Sequence, residues 1–388
     1  MARIEWRDLM ASLIAEPTIS SDDPSLDHGN RGAVERLADR LDRAGFACTI
    51  EPIGERDDKV NLIARLGPCD PSGKTGLVLA GHIDTVPYDD HGWHSDPFEL
   101  VERDDRLYGL GSTDMKGFLA LAAGVASEYA DTNLAAPISL LVSADEECGM
   151  DGARALVDTA RRPGRYCVIG EPTALVPIRQ HKGILMETIE TLGASGHSSN
   201  PALGANAIEA MHHAIAAIRM FREELATRQT IDGFPVGHAT LNLGTLRGGD
   251  AANRIPARCR LDIDLRFLPG DSIEALRAEL RERVRNALAD SDCEIRFNAL
   301  FEGTPAFETA PDSPIITACE ELTGHRATAV DFGTEGAFYN AMGMDSVILG
   351  PGDIGVAHQP NEYLALDRIA PMQHILRELV ERFCRSTG

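Results

Sequence analysis

Residues 76–84 read Gly-Leu-Val-Leu-Ala-Gly-His-Ile-Asp, an almost wholly apolar run that ends in a histidine and an aspartate. A run of this kind is typical of a strand that is buried on both faces of a sheet. Similar runs occupy residues 60–66, 138–144 and 166–170, and a helical pattern covers residues 115–129. Strands that alternate with helices predict an α/β fold with a mostly parallel sheet.

The pattern changes after residue 183. Apolar alternation and helical spacing then predict the order β-α-β-β-α-β between residues 184 and 301, which is the order of a small ferredoxin-like domain. We therefore predict two domains in the chain of 388 residues. Residues 1–182 and 303–388 would form a discontinuous α/β catalytic domain, and residues 183–302 would form an inserted α+β lid.

Composition narrows the classes of function. A net charge of −23 at pH 7 argues against nucleic acid and against an anionic membrane surface, because both require a basic protein surface. The eight cysteines have no Cys-x-x-Cys spacing, which argues against a thiolate zinc motif and a disulfide framework. With no signal-peptide pattern and no apolar run long enough to span a bilayer, we expect a cytoplasmic protein.

Five short segments carry side chains that bind divalent metal ions, and most of them follow the carboxyl ends of predicted strands, where open α/β sheets bind their ligands. The candidate residues are His82, Asp114, the pair Glu146-Glu147, Glu171 and His358. Two histidines and three carboxylates are too many ligands for one four-coordinate zinc ion, but they suit two ions that share a bridging ligand. One carboxylate of the glutamate pair is then left to act as a general base.

Each motif taken alone also has a structural interpretation. His82 could be a buried histidine paired with Asp84, and Asp114 could be an acid at the start of a helix. Glu146-Glu147 could be a solvated loop tip. The glutamate pair is the most informative motif, because adjacent carboxylates repel each other unless a cation lies between them. Taken together, the segments predict a two-metal hydrolase site.

Several longer phrases have a familiar form. They are Gly81-His-Ile-Asp-Thr-Val-Pro-Tyr-Asp-Asp90, Leu107-Tyr-Gly-Leu-Gly-Ser-Thr-Asp-Met-Lys-Gly-Phe118, Gly170-Glu-Pro-Thr173, His181-Lys-Gly183, Ser195-Gly-His-Ser-Ser199, Asn242-Leu-Gly-Thr245, Gly248-Gly-Asp250, Gly333-Thr-Glu335 and the run from Gly350 to Pro360. Through these segments the sequence resembles the di-zinc amidohydrolase family of aminoacylases, carboxypeptidases, succinyl-diaminopimelate desuccinylases and acetylornithine deacetylases. The resemblance covers nearly the whole chain. The resemblance implies a catalytic domain with a lid domain that forms a homodimer.

The resemblance also assigns the ligands of two zinc ions, for which cobalt or manganese could substitute. His82 and Glu171 would bind one ion, Glu147 and His358 would bind the other, and Asp114 would bridge them. No ligand departs from the family pattern.

Further roles follow from the same resemblance. Glu146 would be the general base, and the carboxylate of Asp84 would orient the ring of His82. A cis peptide bond is expected between Asp114 and Met115. His197, which could otherwise be a solvated loop imidazole, would reach the active site of the neighbouring subunit and stabilise the oxyanion.

Substrate contacts are expected from two loops. Asn253 and Arg254 resemble residues that bind the substrate carboxylate, although Arg254 could instead form a surface salt bridge. In the loop of Gly333, Thr334 and Glu335 we suggest that the carboxylate of Glu335 meets the side-chain ammonium of ornithine. Asp89 and Asp90 are rival candidates for that contact.

Within the family the resemblance is strongest to enzymes that act on N²-acetyl-L-ornithine in arginine biosynthesis, and it implies that substrate. The side-chain pocket decides between this and related amides, and sequence describes pockets poorly. A succinyl-diaminopimelate desuccinylase, an acetylcitrulline deacetylase or a broad aminoacylase therefore stays open. So do a small exopeptidase or dipeptidase and a binding protein without activity, although the last has no need of a base such as Glu146.

Overall fold

The computed structural model describes residues 3–89, 91–159 and 162–385. Asp90, one of the candidates for the ornithine contact, lies outside these ranges. The chain divides into two compact units, of which the second comprises residues 180–307 and 329–333. The sequence placed the boundaries of the lid nearby, at residues 183 and 302, and the assignment of functions to the two parts stays a prediction.

The first unit alternates strands and helices. Its elements are α1 (Trp6–Ile14), α2 (Arg31–Arg43), β1 (Ala47–Ile53), β2 (Arg56–Leu66), β3 (Leu77–His82), β4 (Val101–Arg103), β5 (Arg106–Tyr108), α3 (Lys116–Ser127), β6 (Ile138–Ser143), α4 (Asp151–Asp158), β7 (Tyr166–Ile169), α7 (Pro314–Thr323), α8 (Gly336–Ala341), β15 (Asp345–Ile348), β16 (Tyr363–Ala365) and α9 (Ile369–Cys384). Three short strands, β8 (Ile178–His181), β13 (Phe307–Glu308) and β14 (Thr328–Val330), lie where the chain passes between the units.

The main sheet has the order β1-β2-β6-β3-β7-β15-β8. Strand β3 runs parallel to both β6 and β7, and β15 runs parallel to β7, whereas β2 is antiparallel to β6. The predicted mixed fold with a mostly parallel sheet is confirmed. Because four neighbouring strands point the same way, the segments that follow them all emerge at one edge of the sheet.

The apolar runs in the sequence account for the centre of this unit. Every residue of β3 and of β6 is buried, and so is every residue of α3. A helix that is apolar on all sides must be covered on all sides, and α3 packs against the sheet and against α1 and α9. The sequence analysis did not predict α1. The fully buried strands β3 and β6 and the mostly buried strand β7 therefore carry the segments that follow them.

The second unit contains β9 (Gly183–Leu192), α5 (Ala207–Arg228), β10 (Thr240–Gly248), β11 (Arg258–Phe267), α6 (Ile273–Ala287) and β12 (Glu294–Ala299), as well as a 3₁₀ turn over Pro201–Leu203. The strands form an antiparallel sheet in the order β10-β11-β9-β12. Alternate residues of β11 are buried under the two helices, as a period of two requires. The predicted β-α-β-β-α-β order is confirmed.

One glycine of the first unit tests how tightly the end of β7 is held. A Cβ atom added to Gly170 would lie 1.9 Å from Cγ of the buried Phe118 on α3. We predict that Gly170→Ala lowers the free energy of unfolding by about 3 kcal/mol, since neither the strand nor the buried ring has room to move. Urea denaturation of the metal-free protein measures this change.

Gly32→Ala is the matched control. Gly32 lies on the exposed side of α2, and its nearest neighbour, Oε2 of Glu16, would be 3.5 Å from an added Cβ atom. Alanine favours a helix over glycine, so this variant should unfold within about 0.5 kcal/mol of the parent. Similar losses in both variants would contradict the close packing at Gly170.

Candidate active site

The ring of His82 is fixed through its first nitrogen. Nδ1 donates a hydrogen bond to the carbonyl oxygen of Asp84 at 3.0 Å, while Oδ1 of Asp84 is 3.7 Å away. The main chain of Asp84 therefore holds the ring directly, whereas the sequence analysis assigned this to its carboxylate. A carbonyl only accepts, so the neutral ring keeps its proton on Nδ1 and its lone pair on Nε2. The same nitrogen, Nε2, faces Oδ1 of Asp114 at 3.1 Å.

Asp114 stands between the two histidines. Its Oδ1 lies 3.1 Å from Nε2 of His82, and its Oδ2 lies 3.2 Å from Nε2 of His358. The same nitrogen of His358 is 3.1 Å from Oε1 of Glu147. Ligand atoms of His82, Asp114 and Glu147 all lie within 4.8 Å of one another. A carboxylate that gives one oxygen to each histidine has the arrangement of a bridging ligand.

Two further carboxylates crowd this cluster. Glu171 follows β7 and is 5% exposed, and its Oε1 has no hydrogen-bond partner among the described residues. Burial and the charge of Asp114 raise the pKa of Glu171 well above its usual value. Burial and the charge of Glu171 likewise raise the pKa of Glu146. Carboxylates this close together are costly unless they are protonated or share a cation.

The side chains present fit two divalent metal ions. Nε2 of His82 faces a carboxylate oxygen at 3.1 Å, and a proton or a metal ion between the two atoms stabilises that contact; a metal ion would also satisfy the unpaired oxygen of Glu171. The mixture of imidazole and carboxylate is the ligand type of hydrolytic zinc sites. The five predicted ligands are His82, Asp114, Glu147, Glu171 and His358.

Asp84 also joins two of the segments that carry these residues. Its Oδ2 accepts a hydrogen bond from the backbone N–H of Glu147 at 3.1 Å. Asp84 follows β3 and Glu147 follows β6, so this one bond sets the spacing between the first histidine and the glutamate pair. Burial raises the pKa of Asp84, while the charge of His82 and the N–H of Glu147 oppose that rise.

Sequence analysis missed Glu362, which holds the loop before Asp114. This buried carboxylate accepts hydrogen bonds from the backbone N–H groups of Gly111, Thr113 and Asp114 at 3.0, 2.8 and 3.1 Å. Burial raises the pKa of Glu362 to about 8. The sequence offered one signal for Glu362, namely that it is an acidic residue directly before the short apolar strand β16. The peptide bond from Asp114 to Met115 is cis, as the family resemblance implied.

The predicted lid residues share one surface of the second unit. Nδ1 of His197 accepts hydrogen bonds from the backbone N–H and the hydroxyl of Ser199, at 3.2 and 2.8 Å. An accepting Nδ1 leaves the proton of the neutral ring on Nε2, which can then donate. His197 is paired with Arg254 in an isolated bridge, and the N–H of Ser198 donates to the carbonyl of Asn253 at 3.2 Å.

Arg254 is exposed, and its guanidinium is already held by its neighbours. Nη1 donates to Oδ2 of Asp250 at 2.6 Å, and Nη2 donates to Oγ of Ser195 at 3.1 Å. Asn253 is exposed beside it. The guanidinium therefore has a fixed position on the lid surface, and an incoming carboxylate would compete only with a solvent-exposed ion pair.

Glu335, the residue predicted to contact the ornithine ammonium, lies in the protein interior rather than in an exposed loop. Glu335 is fully buried, and its Oε2 accepts a hydrogen bond from the hydroxyl of Tyr339 at 2.7 Å. Burial raises the pKa of Glu335. Thr334 is buried as well and accepts the N–H of Gly336 at 3.2 Å, whereas Gly333 is partly exposed. Asp89 is exposed. The contact with ornithine stays a prediction for each of them.

Comparison with known proteins identifies the family. The sequence pattern of peptidase family M20/M25/M40 matches residues 78–382. An acetylornithine deacetylase of Edwardsiella ictaluri (strain 93-146) is 43% identical over 378 residues, which cover 97% of each chain. An acetylornithine deacetylase of Proteus mirabilis (strain HI4320) is 41% identical and covers 97% of this chain and 96% of its own. The chain belongs to the M20/M25/M40 family and is a metal-dependent hydrolase.

Solved structures share the fold at low sequence identity. An M20 family metallo-carboxypeptidase from Sulfolobus solfataricus superimposes with a TM-score of 0.75 at 18% identity, over 97% of this chain and 98% of its own. A dinuclear metal binding peptidase of the M20 family from Bacillus subtilis has a TM-score of 0.68 at 14% identity, over 97% of this chain and 98% of its own. These similarities support the fold.

The protonation of the two histidines predicts how metal binding depends on pH. Hydrogen bonds that its ring donates to the carboxylates of Asp114 and Glu147 raise the pKa of His358 to about 10. Burial alone would lower the pKa of His82, but Asp114 and its neighbours raise it well above the usual value. Both rings therefore carry an extra proton at pH 7 in the metal-free protein. We predict that binding zinc at pH 7 releases about one proton from each ring, in addition to the proton that the raised pKa of Glu171 favours there, since a metal ligand must be deprotonated.

Calorimetry in buffers of different ionisation enthalpy measures this release. Zinc affinity should rise with pH up to about 10, because the raised pKa of His358 favours the proton over the metal below that value. His358→Ala should release about one proton fewer than the parent. An identical release in the parent and in this variant would contradict the assignment of His358 as a ligand.

Proposed function

We propose that this member of the M20/M25/M40 family hydrolyses N²-acetyl-L-ornithine to L-ornithine and acetate, in arginine biosynthesis. Identity of 40–43% with acetylornithine deacetylases over 97% of the chain supports this substrate. The supporting structural observation is Asp114, which gives one oxygen to each of two histidines. His82, Glu171, Asp114, Glu147 and His358 would hold two zinc ions, which would polarise the acetyl carbonyl and make water a stronger nucleophile.

The chain's own residues supply the proton transfers. Glu146 takes a proton from the attacking water, and the oxygen of that water bonds to the acetyl carbon. The amide C–N bond then breaks, and Glu146 returns the proton to the departing nitrogen of ornithine. Glu146 suits both steps because burial beside Glu171 raises its pKa, which makes the carboxylate a better base and keeps the proton available for return.

The lid residues would bind two groups of the substrate, the carbonyl oxygen of its amide and its α-carboxylate. With Nδ1 occupied by Ser199, His197 can donate from Nε2 to the carbonyl oxygen as negative charge develops there. The guanidinium of Arg254 would form a two-point contact with the α-carboxylate, and the amide of Asn253 would complete it.

We further propose that the protein is a homodimer formed through the second unit. Strand β10 is an edge strand of its sheet, and Leu246 on it is 58% exposed. On the same unit Leu203, Ile208 and Met220 are 57%, 44% and 62% exposed. An edge strand beside exposed apolar side chains is suited to pairing with a second copy. In such a dimer His197 would serve the active site of the partner subunit.

We also propose a cytoplasmic location. The eight cysteines are all free thiols, as is usual in a reducing compartment. Within the described ranges no helix combines the length and apolar character needed to cross a membrane.

The substrate assignment predicts the outcome of a small activity panel. It contains N-acetyl-L-ornithine, N-acetyl-L-citrulline, N-acetyl-L-methionine, N-succinyl-diaminopimelate and a dipeptide, each hydrolysed by zinc-loaded protein. We expect kcat/KM for acetylornithine to exceed the others by about tenfold or more, because a pocket that pairs with a charged group rejects analogues that lack it. A different preferred amide would keep the chemistry and discard this substrate. Cleavage of the dipeptide alone would indicate a peptidase.

The same panel tests Glu335. If its carboxylate meets the ornithine ammonium, Glu335→Gln should raise KM for acetylornithine about tenfold while leaving KM for acetylmethionine nearly unchanged. Equal changes for the two substrates would assign the buried carboxylate to the support of the metal centre instead. Asp89→Asn is the matched control, since Asp89 is the exposed candidate.

The dimer proposal makes a prediction about mixtures of inactive variants. His197→Ala should retain an intact Glu146, and Glu146→Gln should retain an intact His197. If each site uses His197 of the partner subunit, refolding the two variants together should recover about a quarter of the parent activity, from heterodimers in which one site has both groups. Activity is measured on acetylornithine before and after mixing.

Two results would argue against sharing. A mixture that stays as inactive as its components, while gel filtration shows heterodimers, would place His197 in the site of its own chain. A monomer with full activity would remove the dimer from the mechanism.

A further inference from the structure

A buried lysine lies behind the glutamate pair. Lys59 is 1% exposed, on β2, and its ammonium donates to Oδ1 of Asp145 at 2.5 Å and to Oδ1 of Asp27 at 2.9 Å. Its third hydrogen bond goes to Oγ of Ser20 at 3.2 Å. All three donor positions of the ammonium are thus used, which is required of a buried charge. No step assigned above to the metal ligands or to Glu146 uses this lysine.

Asp145 is the residue directly before Glu146 and Glu147, and its backbone is in an unusual conformation. Its φ is +57°, in the left-handed region that residues other than glycine rarely adopt. Its carbonyl oxygen accepts the N–H groups of Gly149 and Met150 at 3.1 and 2.6 Å. These bonds close a turn over residues 145–150, which contains both glutamates. A conformation of this kind persists only where surrounding contacts hold it.

The side chain of Asp145 supplies that contact. Its Oδ1 accepts hydrogen bonds from both Lys59 and Ser20, each at 2.5 Å. Ser20 belongs to a segment that is bonded to the end of β3, because the N–H of Ser20 donates to the carbonyl of Thr85 at 2.9 Å. The ammonium thus sits where the segment after β3, with His82 and Asp84, meets the turn after β6.

The charges around Lys59 make the arrangement stable. Burial alone would lower the pKa of Lys59, but Asp145 and Asp27 raise it above its usual value, so the ammonium stays charged. Asp27 is held in turn by Arg56, whose Nη1 donates to its Oδ2 at 2.6 Å. Removal of the ammonium would leave Asp27 with Arg56 as a cationic partner but would take from Asp145 the cation that holds its carboxylate, and the turn would have to move to bring that carboxylate to water.

We propose that Lys59 is a positioning residue of the active site: by binding Asp145 it fixes the left-handed turn that places Glu146 as base and Glu147 as ligand. This inference rests on the proposed roles of Glu146 and Glu147. Lys59 does not touch the substrate or the reacting atoms.

The experiment compares Lys59→Met, which keeps the apolar stem and removes the charge, with Arg165→Met. Arg165 forms a two-point ion pair with Asp345, at 2.9 Å for both contacts, at the amino ends of β7 and β15, where the strands are farthest from the metal ligands. Both variants lose an ion pair, so both should lower Tm. Only Lys59→Met should lower kcat, by about 30-fold with KM within twofold, and weaken zinc binding by about tenfold in calorimetry.

Asp145→Asn changes the other partner of the same contact, because it removes the negative charge that binds the ammonium of Lys59. It keeps the shape of the turn. It should lower kcat and zinc affinity in the same direction, and the double variant Lys59→Met/Asp145→Asn should lose no more than the worse single variant, because the two act through one contact. If Lys59→Met does not fold, Asp145→Asn decides. Kcat and zinc affinity within twofold of the parent in a folded variant would overturn the proposal.

The two proposals fail separately. If the parent hydrolyses none of the amides, the proposed function is wrong, and zinc titration of the same variants still tests Lys59. If the parent is active and Lys59→Met behaves like Arg165→Met in Tm, kcat and zinc affinity, the proposed function stands and Lys59 is only a structural residue.

Discussion

The electrostatic crowding of the candidate active site is the constraint on which the rest of the first unit depends. Asp114, Glu171 and His82 are buried and lie beside Glu147, while His358 is exposed at the edge of the cluster. Such a set is unfavourable in isolation, because burial penalises the charged form of each carboxylate and the carboxylates repel one another. Divalent cations resolve both problems at once. The protein must hold the ligands close together before any cation arrives.

That requirement explains why many hydrogen bonds are made by residues that hold the predicted ligands or the loops that carry them. Glu362 collects three backbone N–H groups before Asp114, Asp84 holds His82 through its carbonyl and Glu147 through its carboxylate, and Lys59 holds Asp145. Of these contacts, the carbonyl of Asp84 touches the ring of His82 directly, whereas the others act on the loops that carry the predicted ligands. Buried strands then fix the loops relative to one another, so the repulsion among the ligands is opposed by the stability of the whole sheet.

Sequence reasoning found the elements whose pattern is local. Apolar runs such as residues 76–82 and the alternation along β11 indicate burial by themselves, and metal-binding side chains at strand ends are recognisable by type. It missed Glu362 and Lys59, because the contacts that give these residues their roles join segments far apart in the chain: Glu362 reaches back to residue 111, and Lys59 reaches forward to residue 145. It expected the carboxylate of Asp84 to orient His82, and in the structure the carbonyl oxygen of the same residue is the nearer atom, at 3.0 Å, since spacing alone does not distinguish a carbonyl from a carboxylate.

The pairing of the two lid loops has a consequence for which amides can react. The N–H of Ser198 donates to the carbonyl of Asn253, and the N–H of Ile255 donates to the carbonyl of Gly196 at 2.8 Å, so the imidazole of His197 and the guanidinium of Arg254 belong to one rigid ladder. In the proposed mechanism the imidazole binds the acyl oxygen and the guanidinium binds the α-carboxylate. The paired loops therefore set the distance between the two substrate groups that the lid can bind together. When the acetyl group is on the α-nitrogen of ornithine, its oxygen lies close to the α-carboxylate. When the acetyl group is on the δ-nitrogen, the distance between the two groups is much longer. The lid would therefore select the position of the acyl group on the amino acid, independently of any pocket for the side chain.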